Sequence, residues 1–273
     1  MAHDLIILGG GPGGYNAAER AAEAGMDVVL FEKRALGGVC LNEGCIPTKT
    51  FLYSAKLADG AVHGAPYGVR VDGTVSIDHP AVVQRKNAVV KKLTGGVAAS
   101  MKTNGVRVVD SEARIAGRTP EGLLRVEADG EPYEAKYLLI ATGSEAAFPP
   151  IDGLRDQYDL GFAVTSREML DLEEVPEKLV VIGGGVIGME MASYFNSAGS
   201  DVVVVEMLDH KIYIYNTLPP YIFFPALHDL PLPPVCQSLL LFCILPPQKP
   251  GSLHGLQSNP LRPACIYSSF PEE

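Results

Sequence analysis

An α/β fold containing two parallel βαβ units is what this chain predicts, and three observations carry the prediction. The strand-forming run at residues 4–8, apolar from Leu5 on, leads directly into Gly9-Gly10-Gly11-Pro12-Gly13-Gly14, and residues 179–182 lead in the same way into Gly183-Gly184-Gly185. Each glycine turn is followed by a helix-forming stretch and a second apolar run, 28–31 or 202–205, that stops at an acidic residue, Glu32 or Glu206. The third observation is the spacing. Gly9, Gly11, Gly14 and Glu32 recur as Gly183, Gly185, Gly188 and Glu206, each displaced by 174 residues. A short unbroken apolar run before a glycine turn and a helix reads as a parallel strand buried on both faces.

In each unit the glycines form G-x-G-x-x-G. They permit a tight turn and let backbone N–H groups approach a pyrophosphate, while the acidic residue accepts from ribose hydroxyls. The first helix is the alanine-rich run 15–24, closed by Gly25; the second runs from Met189 to about Ala198, closed by Gly199. Between the units, residues 50–57 continue a helix that begins near Pro47. Residues from about 60 to 80 are rich in Gly, Pro and Asp and read as a loop that includes His79-Pro80. A long helix follows over 81–101, with Val82, Val83, Val89, Val90, Leu93 and Val97 on its apolar side. Three strand-forming runs, 106–115, 123–128 and 135–140, are separated by turn signals at 117–122 and Asp129-Gly130 and predict a β-meander. The last run ends in Ala141-Thr142-Gly143-Ser144, and Pro149-Pro150 marks a domain boundary.

Between the first βαβ unit and the helix at 50–57 lies Gly37-Gly38-Val39-Cys40-Leu41-Asn42-Glu43-Gly44-Cys45-Ile46-Pro47-Thr48-Lys49. On a regular helix, Cα atoms five residues apart are roughly 8–9 Å from each other, whereas a disulfide needs about 4.4–6.8 Å. A helix holding both cysteines as partners must therefore be distorted, and Gly37, Gly38 and Gly44 give it the freedom. A helix N-terminus stabilises a thiolate, which suits redox work. Zinc would need about four ligands, and no second Cys or His pair stands at ligand spacing nearby. A structural disulfide does not fit a chain without a secretory signal. Two inert buried cysteines remain open on spacing alone.

Composition narrows the function classes. A net charge of −10 disfavours nucleic acid and anionic membrane as partners. The longest late apolar run, 239–245, is far shorter than the ~20 residues that span a bilayer. We expect a soluble cytoplasmic protein. Only Cys40 and Cys45, of five cysteines, lie in the first 210 residues, so no disulfide framework is expected there and the close pair suits a catalytic dithiol.

The segment Gly-Gly-x-Cys-x-Asn-x-Gly-Cys-Ile-Pro-x-Lys resembles the redox-active segment of the class I pyridine nucleotide–disulfide oxidoreductases, particularly those acting on dihydrolipoamide. The resemblance implies an FAD-binding Rossmann-like domain over 1–150, made of a parallel sheet plus β-meander, and a truncated NAD-binding Rossmann-like domain over 151–210. It implies that FAD lies against Gly9, Gly11, Gly13, Gly14, Glu32 and Gly38, with Thr142 and Gly143 beside it at the strand end. NAD would lie against Gly183, Gly185, Gly188 and Glu206. Glu206 favours NAD because a carboxylate repels the 2′-phosphate of NADP. Cys45 would be the flavin-proximal thiolate and Cys40 the interchange thiol that meets a small dithiol or disulfide such as a lipoyl group. Lys49, one helical turn past Cys45 on the same face, would pair with Glu190 near the flavin. A solvated lysine and an ordinary first-turn acid are the plain alternatives for these two.

The resemblance stops near Lys211. Twelve of the 21 prolines and only two of the 29 glycines fall in residues 211–273, so we expect an irregular Pro-rich tail without a recognisable element. A departure of the coding frame would produce such a change. The resemblance also implies a C-terminal interface domain that forms a homodimer and supplies a His–Glu acid/base pair. His210, His228 and His254 stand in no matching setting, and these and His79 read as surface residues. The expected reading is a dihydrolipoamide dehydrogenase-like enzyme, incomplete as this chain. The alternatives are a catalytically inactive FAD-binding fragment and a related reductase acting on another disulfide.

Overall fold

The computed structural model describes residues 2–206 and the backbone of Leu241–Leu245. Two compact units divide the chain. One comprises Met1–Thr50 with Gln84–Glu145, the other Phe51–Val83 with the described residues from Ala146 onward. The sequence reading places 51–83 with the first domain; in the structure this segment packs into the core of the second.

The elements follow in chain order as β1 (His3–Leu8), α1 (Pro12–Glu23), β2 (Val28–Phe31), α2 (Gly38–Asn42), α3 (Cys45–Val62) and α4 (His79–Thr103). Four strands come next: β3 (Arg107–Val109), β4 (Ala113–Arg118), β5 (Leu124–Ala128) and β6 (Glu131–Ile140). The sheet of the first unit has the order β3-β2-β1-β6-β5-β4. Its parallel half sets Leu5 opposite Val28 and Leu8 opposite Phe31. β6 joins the two halves: Glu131–Ala135 pairs antiparallel with β5, and Ala135–Ile140 pairs parallel with β1.

Alternation explains why β1 and β2 read as unbroken apolar runs. Ile6, Leu8, Val29 and Phe31 face one core with Val126 and Ala135, while Ile7, Val28 and Leu30 face another with Ala18 and Met101.

The expected run 106–115 is two strands rather than one. The Ser111 N–H turns back to the Val109 carbonyl (3.0 Å), and the polar triplet Asp110-Ser111-Glu112 carries the chain from the parallel edge to the meander. The expected loop over 60–80 is also shorter. α3 runs through Gly60 to Val62, since one interior glycine costs a helix only about 1 kcal/mol. α4 begins at His79, with the Asp78 carboxylate accepting the Ala81 N–H (3.1 Å) and Pro80 in the first turn, where its missing donor costs nothing.

The second unit continues with α5 (Leu154–Asp159), β7 (Ala163–Thr165), α6 (Ser166–Met169), β8 (Lys178–Ile182), α7 (Val186–Ser197), β9 (Asp201–Val205) and β10 (Leu241–Leu245). Its sheet order is β7-β10-β8-β9. β8 and β9 are parallel with Leu179 opposite Val202, the Leu5–Val28 register shifted by 174 residues. β10 runs antiparallel to both neighbours, with Phe242 opposite Val181 and Val164. This corrects the expectation of a tail without elements. A strand flanked on both sides reads as a continuous apolar run, and 239–245 is one, stopped by Pro246. The rest of the expected irregular tail, with His210, His228 and His254, lies outside the described residues.

His79 is a second correction. It is 3% exposed, donates from Nε2 to the Leu172 carbonyl (3.0 Å) and accepts at Nδ1 from the Tyr194 hydroxyl (2.7 Å). Phe51 lies 4.4 Å from the Tyr194 ring, centre to centre, so α3 supplies an aromatic wall to the same core. Burial lowers the His79 pKa, because the imidazolium would lose its water.

Candidate dithiol site and dinucleotide turns

The β1–α1 turn is built by close approach. Gly9 has φ +104°, and a Cβ there would stand 2.2 Å from the Ala141 carbonyl oxygen at the end of β6; one at Gly14 would stand 1.8 Å from the Gly9 oxygen. Neither position can hold a larger residue without moving backbone. The Gly9 N–H bonds to the Phe31 carbonyl (2.8 Å), closing the turn onto β2. Gly11 caps α1 without a side chain, with Pro12 and Gly13 next, so nothing bulky screens the positive end of this 12-residue helix. Glu32 is held beside the turn. One carboxylate oxygen accepts from the Gly10 N–H (2.7 Å) and the other from the Arg34 N–H (2.8 Å). A carboxylate has about four acceptor sites, which leaves capacity for hydroxyl donors. Thr142, which is exposed, adjoins Gly9 just past the end of β6, and Gly143, also exposed, follows it.

The second turn repeats this geometry. Gly183 has φ +107° and its N–H reaches the Val205 carbonyl at 2.8 Å. Glu206 accepts from the Gly184 N–H at 2.6 Å. Gly185 caps α7 without a side chain, and no atom comes within 4 Å of where its Cβ would be. Gly188 is buried in the first turn of α7, and Glu190 is half-buried one residue beyond Met189.

Both cysteines sit at the break between two helices. Gly37 (φ +100°) and Gly38 (φ +57°) turn the chain into α2, which carries Cys40; Glu43 and Gly44 interrupt, and Cys45 starts α3. The expected distortion is thus a complete helix break. It brings the two thiols into a mutual hydrogen bond, and the Cys45 backbone N–H donates to the Cys40 sulfur. Cys40 is half-buried and Cys45 exposed. The Cys40 pKa is pushed up to about 11, chiefly by burial, then by its bond to Cys45 and by any charge Cys45 carries; the Lys49 ammonium opposes the rise. Cys40 therefore stays a thiol at neutral pH.

The segment also docks on the first turn. The Gly37 N–H bonds to the Gly10 carbonyl (2.8 Å), and a Cβ at Gly38 would stand 2.6 Å from the Gly11 Cα. The first unit thus gathers Gly9, Gly11, Gly13, Gly14, Glu32, Gly38, Cys40, Cys45, Lys49, Thr142 and Gly143. Gly183, Gly185, Gly188, Glu190 and Glu206 belong to the second. Sequence reasoning misses three residues that hold the dithiol segment. Asn42 donates to the Leu36 and Gly38 carbonyls (3.1 and 2.9 Å), and Arg34 pairs with Glu43 in the link between the cysteines. Asn42 stands within the quoted motif, but no spacing rule reveals the ion pair. Among the described residues no group of three His, Cys, Asp or Glu is placed to hold a metal, and no helix is long and apolar enough to cross a membrane.

The family model for pyridine nucleotide-disulphide oxidoreductases matches residues 3–217. The chain belongs to this family. It is 47% identical over 207 residues to a dihydrolipoyl dehydrogenase of Acholeplasma laidlawii, covering 76% of this chain and 60% of the relative. A Bacillus subtilis dihydrolipoyl dehydrogenase is 42% identical over 209 residues, covering 76% and 44%. Among solved structures, the Cu(II) complex of an HOCl-induced flavoprotein disulfide reductase from Escherichia coli superposes with a TM-score of 0.63 at 29% identity, covering 77% of this chain and 43% of that one. The chain spans about half the length of the relatives it matches.

Proposed function

We propose that this protein is a dihydrolipoamide dehydrogenase-like oxidoreductase that passes electrons from a small dithiol, such as a dihydrolipoyl group, through Cys40 and Cys45 to FAD and then NAD. The observation that carries the reading is the pair of hydrogen-bonded thiols docked on the first dinucleotide turn. The first unit is then the FAD-binding unit and the second the NAD-binding unit. Gly9, Gly11, Gly13, Gly14, Glu32, Gly38, Thr142 and Gly143 would hold FAD, and the glycine cradle without side chains fits a pyrophosphate. Gly183, Gly185, Gly188 and Glu206 would hold NAD, where the open approach to Gly185 fits in the same way. When bound there, FAD would supply the two-electron acceptor for the dithiol, and NAD the acceptor for those electrons.

The chain's own residues perform thiol–disulfide exchange. A substrate thiolate attacks the Cys40 sulfur of the enzyme disulfide, forming a mixed disulfide and expelling Cys45 as thiolate. The second substrate thiol then gives up its proton and attacks its partner sulfur. The substrate disulfide closes and Cys40 leaves, taking up a proton because burial holds it in the neutral form. The substrate loses two electrons and the cysteine pair gains them. That protonated Cys40 supports Cys45 as the sulfur carrying the negative charge. Lys49 already favours negative charge in this site.

The test is reduction of the FAD-loaded chain by dihydrolipoamide. We expect a long-wavelength charge-transfer band that Cys45→Ser abolishes and Cys40→Ser keeps. Equal loss in both variants would overturn the roles, and absence of dithiol-driven reduction would overturn the function.

A further inference from the structure

The link between the cysteines carries an ion pair that no step of this chemistry uses. Glu43, three residues after Cys40 and two before Cys45, pairs with Arg34, just beyond β2. Glu43 is outside regular helix, with φ −139°, and its N–H bonds back to the Val39 carbonyl at 2.8 Å. Its side chain is 20% exposed and that of Arg34 42%. Arg34 is itself fixed at the backbone, where its N–H donates to Glu32. The residue on which the helix break turns is therefore tied to the strand end beside the first dinucleotide turn. Asn42, the preceding residue, anchors the α2 side of the break.

We propose that the Arg34–Glu43 pair is a positioning element for the dithiol, fixing the break between α2 and α3 so that the two sulfurs stay at closing distance and the disulfide is favoured. This rests on Cys40 and Cys45 being the redox pair. The physical reason is entropic. With the link tethered, the thiols begin near the geometry of the bond, so forming it costs little further ordering. Without the tether Glu43 and Gly44 become a flexible joint, and the dithiol form gains freedom that closure must remove. Oxidation removes two electrons and two protons from the pair, and oxidised dithiothreitol can supply the counter-reaction as it is reduced.

The pair is partly exposed, so its effect is modest. Exposed pairs are worth up to about fivefold in an equilibrium constant, or roughly 20 mV for a two-electron couple.

The experiment equilibrates the 273-residue chain with graded ratios of reduced to oxidised dithiothreitol at pH 7 and counts free Cys40 and Cys45 thiols by alkylation and mass spectrometry. Arg34→Gln and Glu43→Gln should each lower the equilibrium constant for disulfide formation two- to about fivefold. The double variant should shift it by less than the sum of the two single shifts, because both single variants remove the Arg34–Glu43 pair. The swapped pair Arg34→Glu with Glu43→Arg should recover at least half of the loss. Lys33→Gln removes the neighbouring Lys33–Glu112 pair and should leave the constant unchanged. Circular dichroism confirms that each variant keeps its helices. Unchanged constants in both single variants, or additive shifts in the double one, would overturn the positioning role while leaving the redox pair intact. A wild-type chain that forms no Cys40–Cys45 disulfide at any ratio would overturn the functional reading first.

Discussion

The two βαβ units differ less in their turns than in what covers them. Residue for residue across the 174-residue shift, Ala18 and Ala192 are both fully buried, and Gly25 and Gly199 both turn the chain after the helix with positive φ. The other face of the helix diverges. Arg20 of α1 has an 82% exposed side chain, whereas Tyr194, its counterpart on α7, is fully buried beneath Phe51 and His79. The turns diverge in the opposite sense. The dithiol segment lies against the first, with Gly38 packed on Gly11, while Gly185 has open space around it among the described residues. One duplicated frame thus serves two tasks, a turn backed by a reactive segment and a turn left clear on a helix clamped from behind.

The hardest test of this comparison is a methyl group. At Gly14 it would overlap the Gly9 carbonyl, so Gly14→Ala should cost about 3 kcal/mol or more of stability and flavin retention with it. Gly185→Ala meets no atom, so the cost should stay within about 1 kcal/mol, while nucleotide affinity falls about tenfold or more because the methyl occupies the approach to the turn. Thermal melts and calorimetry on both variants measure this. A cost for Gly185→Ala as large as that for Gly14→Ala would show that the approach to Gly185 is not open.

A smaller effect separates the acids. Glu32 and Glu206 each accept the N–H of the middle glycine, yet only Glu206 should choose between nicotinamide nucleotides. We expect wild type to bind NADH more tightly than NADPH, and Glu206→Arg to reverse the order, with each tenfold change worth about 1.4 kcal/mol. Glu32→Arg should leave the order unchanged. Equal wild-type affinity for NADPH and NADH would break the assignment of the second turn.

The repeat was legible because its cause is local. A strand, a glycine turn and an acid at fixed spacing are dictated by backbone sterics, and a sequence displays these directly. The helix break at the dithiol was legible for the same reason, as Gly37, Gly38 and Gly44 announce it. What escaped was long-range. Arg34–Glu43 joins residues that follow no periodic rule, and residues 51–83 join the second core through Phe51, Ala55 and Val82, contacts that no local pattern encodes. His79-Pro80 carried a usable signal, since proline in a first turn marks a helix start as well as a loop. β10 escaped because one apolar run among prolines has no period to separate strand from helix.

The smallest expected effect concerns the clamp behind α7. His79 is neutral there, donating to Leu172 and accepting from Tyr194, and burial lowers its pKa from 6.5. As pH falls, the unfolded chain takes up the His79 proton near 6.5, while the folded protein resists until its own, lower value. Between these two values the unfolded state binds more protons, so stability drops with falling pH, by no more than about 1.4 kcal/mol per pH unit for a single proton. Above pH 6.5 the contribution is fully present. Protonation would also turn Nδ1 into a donor, and Tyr194 could no longer donate to it. Glutamine can donate to the Leu172 carbonyl and accept from Tyr194 without titrating, so His79→Gln should retain the fold and flatten this part of the curve. Urea melts of both proteins between pH 7.5 and 5.0 isolate the term, since carboxylates elsewhere contribute equally to each. A wild-type-minus-variant difference that does not change over this range would mean that His79 is not the titrating member of the clamp, and that α7 is held by its aromatic contacts alone.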